Sequence, residues 1–254
     1  MCVIIYIPVG QQISKSELQD AWIVNSDGAG FAVIINKQIH YEKGFMNFSD
    51  YYQAIKKYIG GFPLVLHFRI STSNVINEVQ THPFELHNKT GLIGNTHNPL
   101  ICMNGVISGQ VEYKGMNDTM SYIQDHAQAF QIIADNNSED LLNIIADSTG
   151  CKWCIITPDT VLISDNFTEY KGRYYSNKNH LNTYKTVYSS TRCYFRPSAK
   201  DLLIPKVYQE VKNDKKLYQR LLSYIQRAPL NELNYLFWLD SKEELEDVLT
   251  FTLY

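Results

Sequence analysis

The first apolar run of the chain, residues 2–7, is near-continuous, and its β-prone composition predicts a strand covered on both faces or lying in a sandwich core. Ser14-x-x-Glu17 ahead of Leu18, Ala21 and Trp22 forms a capping-box pattern, so a helix is expected next. Phe31–Ile35 and Gln38–Tyr41 flank Asn36-Lys37, a hairpin turn in which asparagine tolerates positive φ. Ser49 is placed as the cap of a short helix running to Ile59 and closed by Gly60-Gly61, after which Pro63–Ile70 returns to strand character. From Thr81 to Val106 the pattern predicts several short strands separated by Asn-Lys-Thr-Gly and Asn-Thr-His-Asn-Pro turns.

Asp118–Ile133 reads as helix, and Ser138 caps a further helix in which Leu141, Leu142, Ile144 and Ile145 are expected to form one apolar face. Cys154–Thr157 and Val161–Ser164 bracket Pro158-Asp159 as a second hairpin, and Val187–Ser190 reads as another short strand. Beyond about Lys200 the text becomes Leu-, Lys- and Glu-rich and helical, with a second capping pattern at Ser241-x-x-Glu244. Strand runs punctuated by helix pairs predict an α+β protein with antiparallel sheets sandwiched by helices, divided into residues 1–199 and a helical extension over 200–254.

Composition narrows the function classes. At 254 residues and 44% hydrophobic, the chain can bury a core of its own. A net charge of −3 supplies no basic field for nucleic acid or an anionic membrane. The N-terminus lacks the basic flank and cleavage site of a signal peptide, and no run is long enough to span a bilayer, so a cytoplasmic location is expected. Five scattered cysteines, Cys2, Cys102, Cys151, Cys154 and Cys193, do not form a secreted disulfide framework, and Asn-x-Ser/Thr triplets such as Asn166-Phe167-Thr168 read as chance. Cys151-Lys152-Trp153-Cys154 has no second Cys-x-x-Cys pair, and His82, His87 and His97 lack a metal-ligand spacing, so no metal is expected.

Cys2 changes the picture. A side chain this small after the initiator Met permits Met removal, which leaves a thiol beside a free α-amine. With a reference pKa of about 7.7–8.0 that amine is partly neutral, and it can serve the thiol as general base within one residue. The alternative is an inert cysteine on the first strand. Five segments follow it. Asn25-Ser26-Asp27-Gly28-Ala29-Gly30-Phe31 is a Gly-rich entry to a strand, where glycines permit close backbone approach. His67-Phe68-Arg69-Ile70-Ser71-Thr72 places a guanidinium at a strand end, fit to grip a carboxylate bidentately or to make a surface ion pair. Thr81-His82-Pro83-Phe84 precedes Ile101-Cys102-Met103-Asn104-Gly105-Val106-Ile107, whose Asn-Gly is by itself a common turn dipeptide. Asn117-Asp118-Thr119 stands before a helix, where an Asp is also a natural cap.

In this order the segments resemble the class II glutamine amidotransferase domain, a family of N-terminal-nucleophile hydrolases, over about residues 2–190. Trp153–Asp165, Tyr174-Tyr175-Ser176-Asn177 and Tyr188-Ser189-Ser190 echo its later strands more loosely. The resemblance implies a four-layer αββα sandwich of two antiparallel sheets between helical layers. It also implies Cys2 as nucleophile, the Asn104 side chain and Gly105 N–H as oxyanion hole, Arg69 on the glutamine α-carboxylate, Asp118 on its α-ammonium and Thr72 as a helper, with no cofactor. Glutamine would yield glutamate and ammonia.

Departures from the family pattern are Val24-Asn25 in place of Arg-Gly, Met103 in place of histidine, and Ser73-Asn74 after the Thr. They bear on the fit of the substrate and on coupling to a synthase. The choloylglycine and penicillin acylase type also begins Met-Cys but uses an early arginine, and the first arginine here is Arg69. Two alternatives stay open: a non-catalytic amino-acid-binding module, and an amidase for another γ-glutamyl or peptide amide that would not need Arg69 and Asp118. About 50 residues after the resemblance are too few for a synthase domain, so a separate ammonia-accepting synthetase or ligase is the expected partner. The tail, with Tyr218, Leu221, Leu222, Tyr224, Ile225 and Tyr235-Leu236-Phe237-Trp238, reads as a cover for the core or a docking element.

Overall fold

The computed structural model describes residues 2–71, 76–87, 91–181, 203, 205–227, 236, 239 and 241–251. Val187–Ser190 and Thr72 lie outside the described residues. Two compact units divide the chain, Met1–Ser189 and Ser190–Tyr254.

The first unit is built on two antiparallel sheets. In chain order its strands are β1 (Val3–Ile7), β2 (Ala29–Ile35), β3 (Gln38–Phe45), β4 (Leu64–Phe68), β5 (Phe84–Glu85), β6 (Ile93–Thr96), β7 (Leu100–Asn104), β8 (Lys152–Ile156), β9 (Val161–Ile163), β10 (Thr168–Tyr170) and β11 (Arg173–Tyr175). The larger sheet runs β10-β11-β1-β4-β2-β3-β6 and the smaller β5-β7-β8-β9. β1 is central because every residue of Val3–Ile7 except Tyr6 is fully buried, as an uninterrupted apolar run requires.

Three apolar cores define the layers. Val3, Ile5, Leu66 and Phe68 of the larger sheet pack under Leu18 and Ala21 of α1 (Lys15–Val24) and Tyr51 and Ile55 of α2 (Phe48–Ile55). Ile101, Met103, Trp153 and Ile155 of the smaller sheet pack under α3 (Asp118–Asp125), α4 (Ala127–Asn136) and α5 (Glu139–Thr149). Between the sheets, Ile4, Ala32, Ile39, Tyr41 and Val65 meet Leu100, Cys102, Cys154 and Ile156. Helix, sheet, sheet, helix is therefore the order of layers, the four-layer α+β sandwich that the resemblance implies.

Local signals explain most element ends. Asn36 and Lys37 both take positive φ, 50° and 59°, so the β2–β3 hairpin turns where the Asn-Lys pair sits. The Ser14 hydroxyl caps α1 by accepting from Glu17 N at 3.1 Å. The second half of the capping box is absent: the Glu17 carboxylate instead pairs with Arg173 at 3.0 Å and accepts from the Tyr175 hydroxyl. Ser49 is not a cap. Asn47 holds that place, accepting from Asp50 N at 2.9 Å, and the helix ends at Ile55 rather than Ile59. The stretch expected as one helix over Asp118–Ile133 is two, broken at His126, where ψ is 22°. Leu142 of α5 is buried, but Leu141 and Ile144 are 40% and 62% exposed, so the expected four-residue apolar face narrows to Leu142, Ile145 and Ala146.

In the second unit, α6 (Pro205–Asn213), α7 (Lys215–Arg227) and α8 (Lys242–Phe251) close a core of their own around Val207, Val211, Leu217, Leu221, Leu245 and Leu249. Ser241 caps α8 by accepting from Glu244 N at 3.2 Å. Among the described residues no helix is long and apolar enough to cross a membrane.

Candidate active site

Side chains alternate across a strand, so the residues that continue the inter-sheet core toward one end of the sandwich can be read from the register. Beyond Ile4 on β1 lies Cys2; beyond Val65 on β4 lie His67 and Arg69; beyond Ile39 and Tyr41 on β3 lies Lys43; beyond Leu100 and Cys102 on β7 lies Asn104. The same inward face that is hydrocarbon in the middle becomes polar at this end.

Cys2 is half-buried, and its Sγ sits against the backbone of Ile70: the Ile70 N–H donates to sulfur at 3.4 Å, and the thiol reaches Ile70 O at 3.5 Å. Burial pushes the thiol pKa up, opposed by the Ile70 N–H and the Arg69 guanidinium. Arg69 is itself buried, and its Nη2 donates to Ser71 Oγ at 3.1 Å and Gln80 Oε1 at 3.2 Å. Burial draws its pKa down, and the charges of Cys2 and Asp27 oppose that shift. Asp27 shapes this corner through the backbone as well. Its N–H donates to Arg69 O at 3.0 Å, Arg69 N donates to Gly28 O at 2.8 Å, and its Oδ2 accepts from Ser71 N at 2.8 Å. These bonds extend the β2–β4 ladder past the strand ends and hold the 69–71 turn beneath the sulfur.

The glycines of the Asp-Gly-Ala-Gly segment have a steric reason. A Cβ on Gly30 would lie 2.1 Å from His82 O, so only glycine lets the Thr81-His82-Pro83 loop press onto β2. Under that loop the His67 and His82 rings stand 4.1 Å apart, and Lys43 Nζ donates to Val79 O at 3.1 Å while lying 4.5 Å from the Phe84 ring centre. All three groups are buried, and burial holds each toward its neutral form: His67 is lowered to about 3, Lys43 to about 7, and His82 well below the ordinary histidine value. The Met103 backbone opposes the His67 shift, yet no ring nitrogen of His67 or His82 closes a hydrogen bond of normal geometry with the described protein groups.

Across the gap, Asn104 ends β7 with its side chain buried, and its Nδ2 donates to Ser176 Oγ at 2.9 Å. Gly105 follows at φ +154°, with Cys151 packed so closely that a Cβ would lie 2.5 Å from its Sγ. Cys151 thus faces the helical side of the smaller sheet while Cys154 faces the inter-sheet core, so the two sulfurs of the Cys-x-x-Cys pattern point to opposite sides. Among the described residues no group of three metal-ligating side chains gathers.

Asp118 is not the cap of α3. Asn117 is, accepting from Met120 N at 2.9 Å, and Asp118 in the first turn accepts from Ile107 N at 3.0 Å and Thr119 N at 2.8 Å. Its carboxylate therefore ties the loop after Asn104-Gly105 to the helix. Of the residues singled out from sequence, the fold seats Cys2 on the backbone of Ile70, next in chain to Arg69 and within reach of its charge, and links Asn104 to β1 through Ser176. Asp118 joins by way of the 105–107 loop. Sequence reasoning missed Gln80, which engages Arg69, and Ser176 and Asn177, which engage β1 and Cys2. Only the Tyr174–Asn177 stretch as a whole carried a signal for the last two.

No family model and no curated protein matches the sequence. Among solved structures, the glutamine phosphoribosylpyrophosphate amidotransferase from B. subtilis, complexed with ADP and GMP, is similar, with a TM-score of 0.44 and 14% identity, covering 72% of this chain and 43% of that one. This chain thus spans less than half of that protein's length, and a likeness at this level assigns no activity to it.

Proposed function

We propose that the first unit hydrolyses the side-chain amide of glutamine with Cys2 as nucleophile, after loss of Met1. The observation that carries this reading is the seat of the Cys2 sulfur. It lies on the Ile70 backbone beside Arg69, on the inward face that Asn104 shares from the opposite sheet. The freed α-amine takes the thiol proton, and the thiolate attacks the amide carbon. The Asn104 Nδ2 and the Gly105 N–H receive the oxyanion, a stabilisation worth about 3–4 kcal/mol per donor. The C–N bond breaks as the α-ammonium returns its proton to the leaving nitrogen, and ammonia departs. Water, deprotonated by the same amine, then cleaves the thioester, glutamate leaves and the thiol is restored.

Arg69 is proposed to grip the α-carboxylate of the substrate, and Asp118 to face its α-ammonium with the lone pairs that Ile107 and Thr119 leave over. Thr72 enters only through the family resemblance. The ammonia is proposed to pass to a separate acceptor enzyme.

A second reading, an amidase for a γ-glutamyl or peptide amide, draws on Arg69 Nη2 being held inside the protein by Gln80 and Ser71. Processed protein, with Met1 shown absent by mass spectrometry, is to be assayed against free glutamine and against α-blocked glutamine. Cleavage of free glutamine alone is expected. Cleavage of the blocked amide alone supports the second reading, and cleavage of neither leaves a non-catalytic amino-acid-binding module.

A further inference from the structure

We propose that Ser176 and Asn177, which follow β11, are positioning residues of this site: Ser176 fixes the oxyanion donor against the nucleophile strand, and Asn177 fixes the backbone of Cys2. The inference rests on the glutamine-hydrolysis reading above and adds two residues to it.

Ser176 is fully buried and bonds twice to one residue of β1. Its N–H donates to Ile4 O at 2.9 Å, and its Oγ accepts from Ile4 N at 2.8 Å. The same Oγ accepts from Asn104 Nδ2 at 2.9 Å, and Asn104 belongs to the other sheet. One hydroxyl oxygen, with both lone pairs committed, therefore joins the strand that carries the nucleophile to the residue placed to receive the oxyanion. Asn104 Oδ1 is buried and has no protein partner among the described residues, so the bond to Ser176 is what sets the plane of this carboxamide. With one Nδ2 hydrogen on Ser176, the other is left for the reacting oxygen. Without Ser176 the amide can turn over and present its own oxygen, which repels an oxyanion instead of binding it.

Asn177 acts at the other end of the pair. Its Nδ2 donates to the Cys2 carbonyl, and its Oδ1 accepts from Asn179 N at 3.1 Å, so the carboxamide is held on both sides. A residue that begins the processed chain has a single peptide link. The carbonyl bond and the contacts of its sulfur with Ile70 are then what orient its amine and thiol relative to each other.

The test uses processed full-length protein and reads two properties. For Ser176→Ala, kcat for glutamine is expected to fall about 10- to 100-fold with KM changed less than about twofold, the pattern of an interaction made in the transition state. Introduced into Asn104→Ala, the same substitution is expected to cost less than about twofold more, because residues acting through one another are non-additive. Ser176→Thr, which keeps the hydroxyl, is expected to recover most of the loss. If the alanine protein does not fold, Ser176→Cys against Ser176→Thr gives the same comparison. An equal loss in both backgrounds, or a loss confined to KM, overturns the role of Ser176.

For Asn177→Leu, which keeps the size and removes the donor without adding a charge, the pH profile of Cys2 alkylation by iodoacetamide is expected to move. An unchanged profile with unchanged kcat overturns the role of Asn177. A wild type that hydrolyses no glutamine sinks the functional reading instead, and the alkylation profile still decides the claim about Asn177.

Discussion

The middle of the sandwich and its polar end are made from alternate residues of the same strands, yet they surround cysteine differently. Cys154, in the middle, lies among Ile4, Ala32, Val65 and Leu100, and burial together with neighbouring Cys102 holds its thiol well above the usual range. Cys2, two residues beyond Ile4, is also raised by burial, but a backbone N–H and a guanidinium pull against the rise. What distinguishes the surroundings of the two sulfurs is therefore the set of donors at the strand end, and the strand periodicity brings both to the same face.

The largest break in that comparison is expected from alanine at each cysteine. Cys2→Ala should lower glutamine hydrolysis by roughly a thousandfold or more while leaving the thermal midpoint nearly unchanged. Cys154→Ala should keep the rate and lose about 1–2 kcal/mol of stability in urea unfolding, since it removes buried volume only. A Cys2→Ala protein that still turns over glutamine at the original rate ends the proposed mechanism. Next in size, Asn104→Ala should lower kcat about 100- to 1,000-fold with KM nearly constant, read by steady-state kinetics. A change in KM alone would instead make Asn104 a substrate-binding residue.

Arg69→Lys should cost about tenfold or more in kcat/KM for free glutamine, because an ammonium cannot reproduce the bidentate fork. The same change should leave an α-blocked amide nearly unaffected if Arg69 reads the carboxylate. Equal losses on both substrates would assign Arg69 to holding the Ser71 and Gln80 turn in place.

The remaining predictions concern the pH dependence of stability. His67 stays neutral to about 3 in the folded protein, whereas an unfolded histidine takes up its proton near 6.5. Between those values the unfolded chain holds one more proton, so stability falls on acidification by up to about 1.4 kcal/mol per pH unit for this group. Lys43, lowered to about 7 from 10.5, has the same sign in a higher window: its contribution rises with pH from about 7 to 10.5. The buried thiols act oppositely above their unfolded pKa, so the difference between wild type and Lys43→Met isolates the lysine. Chemical unfolding across pH is expected to show the advantage of Lys43→Met shrinking as pH rises, and a constant difference would mean that Lys43 titrates normally.

Much of the fold was legible because its signals are local. The apolar run of residues 2–7, of which Val3–Ile7 forms β1, the Asn36-Lys37 turn, and the Ser14, Ser138 and Ser241 caps each act over a few residues, and each stands where the pattern placed it. Where two local candidates competed, sequence chose wrongly: Ser49 was taken as the cap of α2, and Asn47 holds that place. The short-range rule admits both residue types, and the surrounding backbone decides between them.

By itself the sequence determined an α+β chain, the places of several strands, turns and caps, and a set of candidate residues beginning at Cys2. Tertiary structure alone decided which of them meet. Ser176 bonds to Ile4 across 172 positions of chain, and Asn177 reaches Cys2 across 175, through the antiparallel pairing of β1 with β11. Such contacts leave no periodic trace in either segment, because strand order in a sheet is fixed by the packing of whole faces and not by any pattern within a single strand.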